Sequence, residues 1–436
     1  MRHCRLEGLL QLELLEGLSA ESLLSGTRRW VGLTLTPFAI TAFAGVLSLI
    51  GTALLLRSLP VDQAGLLALL LALVESFSLI GSLGQPSMIT RLYSASDRGH
   101  FDWPRDLAAT LGFALIPLGV ALAIASIVYD LELVHIVYLA ANSLLLIALS
   151  SGCFMLNGYG HYKWASTLLR LPNALLLIPG LFTVTSVLSA RLPVVLGVYS
   201  VGLVLTLVAL LAFLLRSLPK GQNRITVQQR FEGLVFLAST GIAFLPDQGL
   251  VAIAGAFLQP ERLAIYAAIA VLLRPFNVAS YILSSIMTPE LVRRQRRSYR
   301  RLVLGLWAVA LSSAVVGAVL GPPVAHWVYS GRYDAGLGLM PILALAGGLQ
   351  IAAVLPKSDL GGRAPMALLR RLVFVLLAGL SVLTVGGFLL IARLNILGIA
   401  ITGAALNTLR NAVSYLFWAR FRLSETNPIF GDPVGS

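Results

Sequence analysis

The sequence predicts an all-α polytopic membrane protein, with twelve transmembrane helices in two parallel six-helix lobes around a central cavity. Three observations predict it. Hydrophobic residues make up 57% of the 436-residue chain and charged residues only 12%, at a mean hydropathy of +0.87. That is more apolar surface than a soluble protein of this length needs, so the bilayer must solvate most of it. Apolar runs of about 20 residues recur between short polar breaks, each long enough to cross a ~30 Å hydrocarbon core as a helix. The chain also resembles itself about 200 residues apart.

The predicted spans are 31–56, 64–86, 107–129, 133–156, 167–188 and 193–215, then 231–257, 263–288, 302–325, 335–355, 369–391 and 396–419. Strand-like alternation is absent, which excludes a β-barrel. The polar segment Arg216 to Arg230 divides the spans six and six. The expected organisation is a cytoplasmic N-terminal segment (1–29), an N-lobe (30–216), a cytoplasmic linker (217–230), a C-lobe (231–420) and a cytoplasmic tail (421–436). Leu9, Leu10, Leu14, Leu15 and Leu18 share a helical face in the first segment. They fit an interfacial helix, and equally a mis-assigned start codon. Glu13 and Glu16 argue against a signal peptide there.

The net charge of +13 could point to nucleic acid, but its distribution argues otherwise. With the N-terminus in the cytoplasm, 24 of the 32 Lys and Arg fall in inner segments and five in outer loops. This is the positive-inside pattern of a multi-pass protein with both termini cytoplasmic, and no nucleic-acid partner is expected. The densest basic cluster, Arg293 to Arg301, lies in the inner loop after the eighth span, where anionic lipid head groups are within reach. Cys4 and Cys153, the only cysteines, both fall near the cytoplasmic side, so no disulfide framework is expected.

The repeat aligns Leu59 with Leu258, Asp62 with Glu261, Ala68 with Ala267, and Glu75 with Arg274 at an offset of 199. Later matches need offsets of 200 (Val128-Tyr129 with Val328-Tyr329) and 202 (Ala190-Arg191-Leu192 with Ala392-Arg393-Leu394). Six spans per half give both halves the same orientation, as in parallel-repeat transporters whose lobes rock about a shared cavity.

A charge at the bilayer centre costs several kcal/mol and is retained where it is paired or faces a wet cavity. Glu75, Arg170, Asp247, Arg274 and Arg410 are such charges. Glu75 and Arg274 are each the twelfth residue of a predicted span, and Asp247 lies at similar depth behind Pro246, a proline that frees backbone groups beside the acid. Glu75, Ser78, Ser82 and Gln85 share one helix face; Arg274, Asn277, Tyr281 and Ser284 repeat that spacing. Asn407, Arg410, Asn411 and Ser414 add a stripe on the twelfth span, as do Thr34, Thr41, Ser48 and Thr52 on the first. Such stripes are expected to face the space between lobes. Arg170, beginning the fifth span with Asn173, could instead snorkel to the inner interface. Asp247 and Arg274 could equally neutralise each other as a structural ion pair, and Ser or Thr often bonds its own helix. Gly317 and Gly321 are spaced for a close helix crossing.

Chemistry that is missing narrows the function. No G-x-x-x-x-G-K-[ST] phosphate loop occurs, and the five His are scattered without metal-ligand spacing. No outer loop exceeds about a dozen residues, too little to hold an enzyme's substrate outside the membrane. An enzyme is not expected, nor a metal or cofactor.

The stretches "LLLRSLPVDQAGLLALLLALVESFSLIGSLGQPSMITRLYS", "PDQGLVAIAGAFLQPERLAIYAAIAVLLRPF", "VYSGRYDAGLGLMPILALAGGL" and "LNILGIAITGAALNTLRNAVSYLFWAR" resemble the multidrug/oligosaccharidyl-lipid/polysaccharide (MOP) exporter superfamily. The likeness runs over about residues 28–420 and is greatest to polysaccharide transporters of the O-antigen flippase type. It implies a V-shaped pair of six-helix bundles in the bacterial cytoplasmic membrane. It also implies a polyprenyl-diphosphate-linked oligosaccharide as cargo, with membrane lipids, a polysaccharide polymerase and glycosyltransferases as partners. On this reading Arg274, Arg410 and Arg170 hold anionic groups, Asn277, Asn407 and Asn411 bond sugars, and Glu75 and Asp247 gate or couple H⁺ or Na⁺. Drug/cation antiporters of the superfamily use cavity acids and are the alternative. A non-transporting scaffold for glycan synthesis is a third reading.

Overall fold

The computed structural model describes the backbone of residues 20–94, 101–185, 191–218, 221–293 and 299–426, with side chains from Ala39 onward except at some inner positions, including Pro246 and Asp247. The expected face of Leu9 to Leu18 lies outside these residues, whereas 20–29 are already part of the first helix. Among the described residues there is no strand, only an isolated bridge between Phe101 and Asn223.

The first half contains α1 (Ala20–Ser58), α2 (Val61–Ser82), α3 (Gln85–Ser94), α4 (Trp103–Val128), α5 (Leu133–Gly158), α6 (Tyr162–Ala174), α7 (Leu177–Val184) and α8 (Leu192–Ser217). The second contains α9 (Val227–Phe244), a π-helical turn (Leu245–Gly249), α10 (Leu250–Gly255), α11 (Pro260–Leu272), α12 (Arg274–Arg293) and α13 (Arg300–Tyr329). It continues through a 3₁₀ turn (Asp334–Leu339), α14 (Met340–Ala352), α15 (Val354–Arg363), α16 (Met366–Leu394) and α17 (Ile396–Thr426).

Among the described residues ten segments are long and apolar enough to cross a membrane, and α11 with α12 makes an eleventh if the bent pair is one span. The segment expected at 231–257 is helical but interrupted. Pro246 has no N–H to give the helix ladder, and the backbone widens there into the π turn. A second proline, Pro275, stands just past the 43° bend between α11 and α12. Apolar side chains cover the outside of the bundle, as at Ile127 (83% exposed) and Phe374 (73%), a surface suited to hydrocarbon and not to water.

Small residues let the helices approach closely. A Cβ on Gly51 of α1 would sit 2.4 Å from the backbone nitrogen of Leu177. Gly317 and Gly321 of α13 lie against Ala344 and Met340 of α14, the close crossing their spacing predicts.

The two halves meet at both ends of the bundle. At the end bearing Pro60 and Pro260, here called distal, Gly65 of α2 faces the Pro260 carbonyl so closely that a Cβ would come within 1.7 Å. The Tyr333 hydroxyl donates to the Leu56 carbonyl (2.7 Å), and Arg332 to that of Arg57 (2.8 Å). Leu56 would ordinarily bond the N–H four residues on, but that residue is Pro60. Tyr129 caps Ala252 at the end of α10 in the same way (2.7 Å). At the opposite, proximal end, α2 stops at Leu83 and Gly84, both with positive φ (49° and 72°). A Cβ on Gly84 would meet the Gly233 carbonyl of α9 at 2.0 Å, so the turn needs glycine for conformation and space alike.

Candidate functional site

Between the two halves lies a cavity of about 60 Å³, walled by α1, α2, α6, the π turn, α10, α11 and the first residue of α12. Its polar lining is Thr52, Glu75, Asn173, Gln248 and Arg274. The two residues that the 199-residue offset pairs therefore line one cavity, although they carry opposite charges. Arg274 reaches this position because the ladder breaks at Leu273, whose N–H bonds Ala270 (3.1 Å) instead of continuing the α-helical pattern. Pro275 then starts the new axis, where a missing N–H costs least. Glu75 lies within electrostatic range of Tyr199 on α8, and Arg274 within range of Tyr329 on α13.

The other sequence-predicted residues are distributed differently. Asn173 lines the cavity, while the half-buried Arg170, one turn earlier, does not. Asn277 is half-buried on α12, also outside the lining. Asp247 lies in the π turn, which packs against α2 and α17; its side chain is outside the described residues, but the neighbouring Gln248 reaches the cavity. Ser78 and Ser82 donate to carbonyls of their own helix (Glu75, 2.8 Å; Leu79, 2.9 Å). Gln85, on the same predicted stripe, joins a network at the proximal end.

The stripe on α17 faces α14 and α15. Arg410 donates to Asn407 Oδ1 (2.8 Å) and Asn411 to the Leu349 carbonyl (2.8 Å), all three residues being buried. Ser414 donates to the Arg410 carbonyl (2.7 Å), and Tyr415 to that of Ala352 (2.7 Å). Lys357 of α15 lies within electrostatic range of Arg410 in the interior of this half. Sequence reasoning missed Lys357, which falls two residues beyond the predicted span.

It also missed two buried ion pairs. Arg230 and Asp106 lie 3.0 Å apart with side chains 4% and 2% exposed. The same guanidinium donates to Thr110 (3.0 Å) and Gln85 Oε1 (3.3 Å), and Gln85 donates back to the Arg230 carbonyl (2.8 Å). Asp106 further accepts from Tyr93 (3.1 Å) and the Ile225 N–H (3.1 Å). Burial, reinforced by Asp106, pushes the Tyr93 hydroxyl far above the usual tyrosine range, so it remains a donor. The second pair centres on Asp359, fully buried between Arg363 (3.3 Å) and Arg422 (2.9 Å), with Trp418 donating to it (2.7 Å). The available signal was slight: Asp106 and Arg230 each stand one residue outside a predicted span. Among the described residues no three His, Cys, Asp or Glu converge as a metal site would need.

Comparison with known proteins gives the class of fold. No protein-family model matches the chain, and no curated protein matches it. Solved structures do match. The lipid II flippase MurJ, in an inward closed conformation, aligns with a TM-score of 0.60 at 12% identity, covering 89% of this chain and 90% of MurJ. A multidrug resistance MATE family transporter of the MOP superfamily, inward-facing, aligns at 0.57 and 15% identity, covering 90% of this chain and 98% of the transporter. A MOP superfamily transporter from Pyrococcus furiosus, described as having a binding pocket of reverse polarity, aligns at 0.55 and 15% identity, over 91% and 96%. The chain therefore has the fold of MOP superfamily transporters.

Proposed function

We propose that this protein is a flippase that moves a polyprenyl-diphosphate-linked oligosaccharide across the bacterial cytoplasmic membrane by alternating access, for surface polysaccharide synthesis. The observation that carries the reading is that Arg274, at the bend of α11–α12, and Glu75 line one cavity. A guanidinium in a low-dielectric cavity suits a diphosphate, which it can hold through two parallel charged hydrogen bonds. Among the described residues Arg274 is the one basic side chain in the cavity lining, which fits an anionic cargo better than a cationic drug. The MOP-like fold suits either cargo. At about 60 Å³ the cavity is too small for a sugar, so loading requires the halves to separate. We read the helical segments as twelve spans in two lobes, with both termini cytoplasmic, a polymerase and glycosyltransferases as partners, and H⁺ or Na⁺ coupled through Glu75 or Asp247.

Arg274→Ala is expected to stop surface-glycan assembly while membrane levels of the protein stay normal; normal glycan in that strain would refute the role. Glu75, an acid in the cavity wall, favours a second reading as a drug/cation antiporter. That reading predicts drug resistance on overexpression and unchanged glycan on deletion.

A further inference from the structure

A larger cavity lies on the outside of the bundle, where α13 runs past the α11–α12 bend. It is a groove of about 580 Å³, within the roughly 300–1,000 Å³ of sites that hold drug-sized ligands. Leu273, Pro275 and Phe276 form one wall, and Val316 and Leu320 the other. Both α13 residues are 54% exposed, so the groove opens to the surroundings of the bundle. Gly317 keeps its floor low: a Cβ there would already lie 3.1 Å from the Phe276 ring. Along α13 the lining extends from Ser312 to Val324, about 18 Å at 1.5 Å per residue. Such a trough is long, narrow and apolar, and offers water too few polar partners to fill it. It is shaped for a hydrocarbon chain.

Its place relative to the central cavity identifies which chain. Leu273 and Pro275 line the groove, while Arg274 between them lines the cavity. The bend thus presents a cation on one side and an apolar trough on the other. Beside it, α1 and α12 meet through Gly45, whose missing side chain leaves Val278 as the neighbour (3.2 Å from a built Cβ).

We propose that the groove seats the hydrocarbon tail of the cargo whose anionic head Arg274 receives, so that the bend separates one amphiphile into its two parts. The choice of occupant rests on the flippase reading. The groove is then a tail site at the rim of the bundle, and the tail never enters the polar cavity.

The test uses the full chain in nanodiscs of phosphatidylethanolamine and phosphatidylglycerol, with photolabelled residues mapped by mass spectrometry. Three probes carry a diazirine on the hydrocarbon: a polyprenyl diphosphate, an uncharged polyprenol and a phosphatidylglycerol. Both polyprenyl probes are expected to label 273–276 and 312–324, and unlabelled polyprenyl diphosphate to displace them. Val316→Trp fills the groove from an exposed position and is expected to cut that labelling about tenfold or more, the effect of overpacking, at unchanged melting temperature. Phosphatidylglycerol labelling the same residues, undisplaced by polyprenyl diphosphate, would show an ordinary bilayer-lipid contact and overturn the proposal. Undiminished polyprenyl labelling in Val316→Trp would overturn it as well. The head assignment fails separately: polyprenol would still label the groove, while Arg274→Ala would bind the diphosphate as tightly as the native protein.

Discussion

Removing both partners of the Arg230–Asp106 pair should destabilise the protein far less than the two single removals add up to. The pair is almost completely buried and links the first turn of α9 to α4. In Arg230→Met, Asp106 keeps the Tyr93 hydroxyl and the Ile225 N–H (3.1 Å each) but loses its counter-charge at 3.0 Å. Breaking a buried pair from one side costs about 3–5 kcal/mol, because an uncompensated charge stays behind, whereas replacing both by apolar groups is often near neutral. Arg230→Met and Asp106→Leu should each therefore cost about 3 kcal/mol or more, and the double variant much less than their sum. The difference is the coupling energy, expected at about 2–3 kcal/mol for residues in one network. Unfolding midpoints in mixed detergent, followed by tryptophan fluorescence and combined in a double-mutant cycle, would measure it. Additive costs, or single variants within about 0.5 kcal/mol of native, as for ordinary surface substitutions, would refute the account of this pair as the proximal fastening.

Two other substitutions test the distal end and the bend. Gly65→Ala puts a Cβ 1.7 Å from the Pro260 carbonyl, so α2 and α11 must part. Overpacking of about 1–3 kcal/mol corresponds to a shift of roughly 5–150-fold toward a distally open state. Labelling of Ala267→Cys in the cavity by a membrane-impermeant maleimide from the distal side should rise accordingly, and unchanged labelling would refute the seal. Pro275→Ala returns an N–H to the helix ladder and should straighten the 43° bend. Spin-label distances across α11–α12 should lengthen while transport falls; an unchanged distance would show that packing, not the proline, sets the angle.

Helical periodicity states which side chains share a face but not what that face meets, and this divides what was legible from what was not. Glu75 and Arg274 were legible because a repeat places equivalent residues at equivalent positions, and they line one cavity. The interruption near Asp247 was legible because Pro246 cannot join the ladder. The stripe at Asn407, Arg410 and Asn411 was also legible as a stripe, yet it bonds towards α14, information held only in the packing. Gln85 continued the spacing of Glu75 but lies beyond the positive-φ turn at Leu83 and Gly84, which turns its side chain to Arg230. Arg230 and Asp106 are 124 residues apart in sequence. Nothing local marks such residues as partners.

The distal clasps are chemically one-sided. Tyr333, Arg332 and Tyr129 supply side chains, whereas Leu56, Arg57 and Ala252 supply only main-chain oxygen. Any residue at the three accepting positions presents the same oxygen, so point substitution there leaves the bond's chemistry intact. Substitution at a donor abolishes it. These three bonds are therefore adjustable through the donor side chains, and the accepting positions can drift in sequence without changing them.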